Sequence, residues 1–374
     1  MSKINGKTLI EHFEQFAPPY LAESGDPIGL QIGTLNKPIH KVMVSLDVRQ
    51  ETVQEAIAQQ IDLIIVHHPP IFVKPANLVI DDPQKKLYAD LIKHDIAVYA
   101  AHTNLDVTTN GMNDWLGQAI GLTNTIVMSE TKKIGYKKLA VFVPSNDAEK
   151  MRQALAEAGA GSIGPHYKNC SYTLTGTGRF TPVTGAMPTI GSINQAEAVS
   201  EAKVEVIFPE TLTTQVEHAM FAAHPYEEPA YDLYTIENFY DSYGLGRVGD
   251  LAEPIKVKDF AQQLKAVFKI DGLRVVSSDL EKLVQRVAIC GGAAGKYYPD
   301  AMHKKADVYI TGDVDFHTAQ YMLADGLTVI DPGHHIEAIC TPKLNELLTN
   351  WAVENQWELE VIASQLNTDP FKFM

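Results

Sequence analysis

Along the first third of the chain, apolar and polar positions switch repeatedly between a helical and a strand period. Leu9, Ile10, Phe13 and Phe16 recur at helical spacing and predict an amphipathic helix over 7–16. HKVMVSLD (40–47) predicts a strand and QETVQEAIAQ (50–59) a helix. DLIIV (62–66) and IAVYAA (96–101) are unbroken apolar runs, as in strands covered on both faces. A helix over 84–94 separates them, and another runs from near Asn110 to near Gly121. This alternation predicts a parallel sheet flanked by helices. The last third repeats the pattern, with helices over 257–268, 297–304 and 314–324 and a long one over 334–350. Its strands are VQRVAIC (284–290), ADVYIT (306–311), LTVID (327–331) and ELEVIAS (358–364).

The middle differs. KKLAVFVP (137–144), KVEVIFP (203–209) and PAYDLYTI (229–236) predict strands, and CSYTLTGTGRFTP (170–182) reads as hairpin material. Helical patterns at 147–159 and 210–224 complete a βα-ββ-αβ order, that of a ferredoxin-like unit. The expected fold class is therefore α/β, a three-layer core with mostly parallel sheets between helices, plus an inserted ferredoxin-like α+β domain. The core would be 1–125 with 250–374, and the insert 126–249.

Composition narrows the class. A chain of 374 residues, 45% hydrophobic and 21% charged, has ample material for a globular core. No run of 18 apolar residues occurs and the N-terminus lacks a signal-peptide core, so no membrane contact and a cytoplasmic location are expected. Cys170, Cys290 and Cys340 form neither a disulfide framework nor a zinc ribbon and read as buried thiols. The net charge of −15, with no basic run, disfavours nucleic acid as a partner.

Chemistry gathers at strand ends, where open parallel sheets bind ligands. His67-His68-Pro69-Pro70 follows DLIIV, and His102-Thr103-Asn104-Leu105-Asp106 follows IAVYAA. Gly333-His334-His335-Ile336-Glu337 follows LTVID, with His334 and Glu337 three apart and so on one helical face. Each motif alone also fits a strand-end cap or helix start. Together they bring two or three imidazoles and two carboxylates to one sheet edge. That donor mixture suits Zn²⁺, Mn²⁺, Fe²⁺ or Ni²⁺ rather than Ca²⁺. Asp106 is suited to bridging two ions, and His102 to an outer or substrate-contacting role. CGGAAG (290–295) reads as a tight turn, since it lacks the Lys-Ser/Thr of a phosphate loop. HPYEEP (224–229) reads as an ordered turn, and His317 as peripheral.

At these residues the chain resembles the Nif-three-like family, the GTP cyclohydrolase I type 2 homologues. The matching pieces are GDPIGLQIG (25–33), SLDV (45–48), VHHPPIF (66–72), AAHTNLD (100–106), TGDVDFH (311–317) and DPGHHIE (331–337). GTGRFTPVTGAMPTIG (176–191) and HPYEEPAYDLY (224–234) are similar to the long bacterial form, whose insert resembles PII-like and copper-tolerance folds. The resemblance implies a centre of two divalent metal ions, zinc before iron, manganese or nickel. It implies the ligands His67, His68, Asp106, His334 and Glu337, with Asp106 and Glu337 also catalytic; His335 is the alternative to His334. It implies a homohexamer, as a dimer of trimers or a trimer of dimers. The expected function is hydrolysis of a small anionic or nucleotide-like substrate by a metal-bridged hydroxide. The alternative is a non-catalytic ring that binds or senses metal.

Overall fold

The computed structural model describes residues 3–164 and 166–374. The chain divides into two compact units, one formed by Met1–Lys132 with Tyr243–Met374 and the other by Lys133–Ser242.

The first unit holds two sheets flanked by helices. In one, the strand order is Glu360–Ala363, Lys41–Ser45, Leu63–Val66, Ala97–Ala100, Gly29–Ile32. Neighbours are parallel except Gly29–Ile32, which closes the edge antiparallel. Every residue of Leu63–Val66 and Ala97–Ala100 is buried, which is why these stretches carry no polar alternation. In the other sheet, Leu283–Ile289, Val308–Ile310 and Thr328–Asp331 run parallel. Arg274–Val276 pairs antiparallel with Thr328–Asp331 at one edge, and Arg247–Asp250 pairs antiparallel with Leu283–Ile289 on the other side.

One face of each sheet enters a single core. Val42, Val44, Leu63 and Ile65 of the first sheet and Val287, Ile289, Val308 and Ile310 of the second belong to one apolar cluster. Leu9 and Phe13 (helix Gly6–Phe16), Leu116 (Met112–Ala119), Phe260 (Val257–Phe268) and Leu344 (Cys340–Glu354) fill it. The opposite faces are covered separately, one by helices Gln50–Ala58 and Pro83–Lys93, the other by Tyr298–His303 and Phe316–Ala324. Each sheet with its helices is thus a three-layer α/β sandwich.

The second unit has the element order βα-ββ-αβ, with antiparallel strands and the core Leu139, Val141, Leu155, Val204, Val206, Phe208, Val216 and Met220. The 170–182 segment forms one strand, Tyr172–Phe180, and its hairpin partner is Glu197–Pro209. Two long strands, Thr123–Pro144 and Tyr231–Lys256, carry the chain into and out of this unit. Among the described residues, no helix is long and apolar enough to cross a membrane. Cys290 and Cys340 are buried free thiols; Cys170, expected to be buried, is half-buried in the loop after Gly161.

Candidate metal centre

Strand ends build the centre. Backbone bonds from His67 N to Ser45 O (3.2 Å) and His68 N to Leu46 O (2.9 Å) extend the sheet ladder past Val66. They fix both imidazoles on rigid backbone. His67 is fully buried, and its Nδ1 donates to Ala101 O at 2.8 Å. A carbonyl only accepts, so Nδ1 carries the hydrogen and neutral His67 offers a lone pair at Nε2. That Nε2 has no hydrogen-bond partner. It lies 3.7 Å from Asp106 Oδ1 and 3.8 Å from Glu337 Oε2.

The other imidazoles repeat the arrangement. His68 Nδ1 bonds Asp47 Oδ1 at 2.7 Å while Nε2 lies 3.0 Å from Glu337 Oε2. His334 Nδ1 bonds Asp313 Oδ2 at 2.7 Å while Nε2 lies 3.2 Å from the same Glu337 oxygen. His102 Nδ1 bonds Asp26 Oδ1 at 2.8 Å. Four imidazoles therefore have Nδ1 tied to an oxygen, the pattern by which outer acceptors orient metal-ligating histidines. Donor atoms of His67, Asp106 and Glu337 lie within 4.8 Å of one another, as do those of His68, His334 and Glu337, and of His67, His68 and His102, so each group could hold a metal ion.

Asp106 sits on the short helix Thr103–Val107, just past the strand Ala97–Ala100. Its Oδ1 is buried without a hydrogen-bond partner, while its backbone carbonyl accepts from Asn113 Nδ2 at 2.9 Å. Asn113 Oδ1 accepts in turn from Gly291 N at 3.0 Å. Glu337 lies on a 3-10 segment, His334–Ile339, that precedes the helix Cys340–Glu354.

The charges are unbalanced in a way that a cation answers. Burial and the nearby Glu337 push the Asp106 carboxyl up to about 8. Burial also acts to raise Glu337, but His334 and His68 outweigh it and hold that carboxyl well below the usual range. Burial disfavours the His68 cation, yet Asp47 and Glu337 raise it to about 10. Glu337 and Asp313 raise His334 to about 9. The buried carboxylates thus draw positive charge to this point, and a divalent cation on the same lone pairs meets that demand. The two orphaned atoms, His67 Nε2 and Asp106 Oδ1, fit a metal ion and no protein partner.

The cluster forms part of the wall of a cavity of about 570 Å³, with Arg49, Phe72, Lys296 and Tyr297 also lining it. Gly291 leaves room for Glu337: a Cβ would stand 2.7 Å from Glu337 Oε1. In the 290–295 segment, Gly291 N donates to Asn113 Oδ1 and Ala294 N to Thr311 Oγ1 (3.1 Å).

The structure brings His67, His68, Asp106, His334 and Glu337 together. His335 lies outside this group, on a neighbouring cavity beside Thr368 and Asp369. The His317 ring lies against Phe316. Sequence reasoning did not assign Asp26, Asp47, Asp313 or Asn113. The three aspartates stand inside the quoted motifs, yet an aspartate near a strand end or turn ordinarily reads as a cap.

Comparison with known proteins agrees along the whole chain. The model of the family described as Duf34/NIF3 (NGG1p interacting factor 3) matches residues 4–370. A Bacillus subtilis protein named GTP cyclohydrolase 1 type 2 homolog is 45% identical over 371 residues, 99% of each chain. A Listeria innocua protein of the same name is 45% identical over 373 residues, 100% of each. A crystal structure of a Bacillus cereus protein related to NIF3 superposes with a TM-score of 0.94 at 42% identity, covering 100% of both chains. The motifs, the fold and these relatives agree that the chain belongs to the Duf34/NIF3 family.

Proposed function

We propose that this protein is a metal-dependent hydrolase with two divalent transition-metal ions, zinc before iron, manganese or nickel. The observation that carries this reading is the pair of buried, unpartnered atoms His67 Nε2 and Asp106 Oδ1, 3.7 Å apart. Two donor groups meeting at Glu337 support two ions: His67 with Asp106, and His68 with His334. When bound, such ions polarise an oxygen of the substrate and lower the pKa of water toward about 7.

The protein's own residues supply the rest. Asp47, Asp313 and the Ala101 carbonyl orient the imidazoles. Arg49 and Lys296 attract an anionic group into the cavity, and Phe72 and Tyr297 offer flat apolar walls. These features support a small anionic or nucleotide-like substrate. His102, held by Asp26 through Nδ1, lines the same cavity, where it can contact the substrate. The family resemblance adds a homohexamer, as a dimer of trimers or a trimer of dimers, which light scattering would register as six chain masses.

The decisive test is elemental mass spectrometry of purified protein. About two transition-metal ions per chain are expected, falling sharply in His67→Ala and in Glu337→Ala. Protein that neither carries nor takes up metal would overturn the reading. With metal present, phosphoesters, nucleotides and cyclic amides are the substrates to screen, and Asp106→Ala should lose turnover while keeping its assembly. Full metal content without turnover, together with metal-dependent changes in assembly, would favour the metal-sensing scaffold.

A further inference from the structure

The Lys133–Ser242 unit buries Ala202, Val204, Val206 and Phe208 under its helices. Alternation along that strand turns Glu201 to the opposite face of the sheet. The register places Phe142 opposite Lys203, Gly178 opposite Val199 and Phe180 opposite Glu197, all on the face of Glu201. A cavity of about 450 Å³ opens here, roofed by residues of 181–190 and by Tyr226, Glu227, Glu228 and Ala230. This volume falls in the roughly 300–1,000 Å³ range of small-molecule sites.

The roof is held in place. Glu227 Oε1 accepts from Met187 N at 2.8 Å, and Thr189 Oγ1 donates to Pro225 O at 2.7 Å. Buried His224 accepts from Tyr226 N at Nδ1 (3.0 Å) and donates from Nε2 to Phe142 O (2.9 Å), which fixes the turn carrying Tyr226. The Phe180 and Tyr226 rings meet at 5.8 Å, and Phe142 adds a third aromatic wall. Gly178 leaves room for the Glu201 carboxylate, which a Cβ at that position would strike.

The charge on the lining is one-sided. Glu201, Glu227 and Glu228 supply three carboxylates. The cations nearest in register are engaged with Glu205: Lys203 and Lys138 pair with it at 2.6 and 3.2 Å, and Lys203 Nζ stands 5.9 Å from the Phe142 ring centroid. Arg179 borders the cavity from the alternate strand position, so its side chain leaves from the other face. Aromatic faces beside unneutralised carboxylates select a cation with an apolar body.

We propose that this cavity binds a small organic cation, with its ammonium at Glu201 and Glu227 and its apolar body between Phe142, Phe180 and Tyr226. The site lies wholly within Lys133–Ser242 and does not depend on the metal-centre reading.

The test is calorimetric titration of the full-length protein with three probes on one frame: cationic 2-phenylethylamine, neutral 2-phenylethanol and anionic phenylacetate. The amine should bind at least tenfold more tightly than phenylacetate, with the alcohol between. Glu201→Gln, which keeps the side-chain shape, should weaken the amine severalfold and leave the alcohol unchanged. Phe180→Ala should weaken amine and alcohol alike. Equal affinity for the three probes, a preference for phenylacetate, no saturable binding by any probe, or an amine affinity untouched by Glu201→Gln would each overturn the proposal.

Discussion

Orientation and charge separate cleanly at Asp47. Its Oδ1 holds His68 Nδ1 at 2.7 Å, so Asp47→Asn keeps an acceptor of the same shape and removes the charge. Loss of such an outer partner ordinarily costs about 10- to 100-fold in metal affinity. That loss is expected for Asp47→Ala in a competition titration against a chromogenic chelator, while Asp47→Asn, which keeps the acceptor, should retain most of the affinity; undiminished affinity in Asp47→Ala would deny Asp47 its orienting role. Gly291→Ala tests packing against the centre. Glu337 is held by two imidazoles, His68 and His334, and has little freedom to leave the new methyl group, so Gly291→Ala should lower metal content while the protein stays folded by circular dichroism. Wild-type metal content in that variant would mean that Glu337 can turn away at little cost. The inner residues were legible because His67, His68 and His334 each follow an apolar run at a strand end. Asp47 and Asp313 were not, because what marks them is a partner 21 positions away in each case, at His68 and at His334.

Between elements, the junction that joins helix Met112–Ala119 to strand Tyr231–Lys256 is a buried ion pair. Arg247 is 4% exposed and grips Asp114 with two bonds, 2.6 and 2.8 Å, while donating to Gly244 O and Gly246 O. Arg247→Met would strand the Asp114 carboxylate, and breaking a buried pair costs about 3–5 kcal/mol. A clear drop in unfolding temperature is expected by calorimetry. Arg247→Met with Asp114→Leu should recover part of it, since the unpaired charge is then gone. An unchanged single variant would mean that water reaches Asp114. Elements with a strong period or an unbroken apolar run were legible, Gly6–Phe16 and Leu63–Val66 among them. Gly29–Ile32 and Arg274–Val276 were not: one is a mostly half-exposed edge strand, the other only three residues long, and neither carries a period. Thr103–Val107 is shorter than two helical turns, too short to show a helical period. The first turns after Gly333 are 3-10 rather than α, a distinction that apolar spacing does not encode.

At the scale of the molecule, periodicity reports which faces are apolar but not which of them share a core, so the helical layer common to both sheets was invisible in the sequence. The structure does show that the two units have separate cores, and this leads to a prediction about how metal stabilises the chain. A ligand bound only by the native state stabilises whatever unfolding destroys its site, by about 4 kcal/mol at a thousandfold excess over Kd. All five candidate ligands belong to the first unit. Hydrogen exchange followed by mass spectrometry, with and without added zinc, should therefore show slowed exchange in peptides covering 63–68, 101–113 and 331–340. Peptides covering 139–143 and 204–208, in the core of the second unit, should exchange at the same rate in both samples. The organic cation should do the reverse, protecting peptides around 178–190 and 224–230 and leaving the metal-ligand peptides unchanged. If zinc instead protected both cores equally, the units would be opening as one cooperative body, and separate cores would not mean separate stabilities.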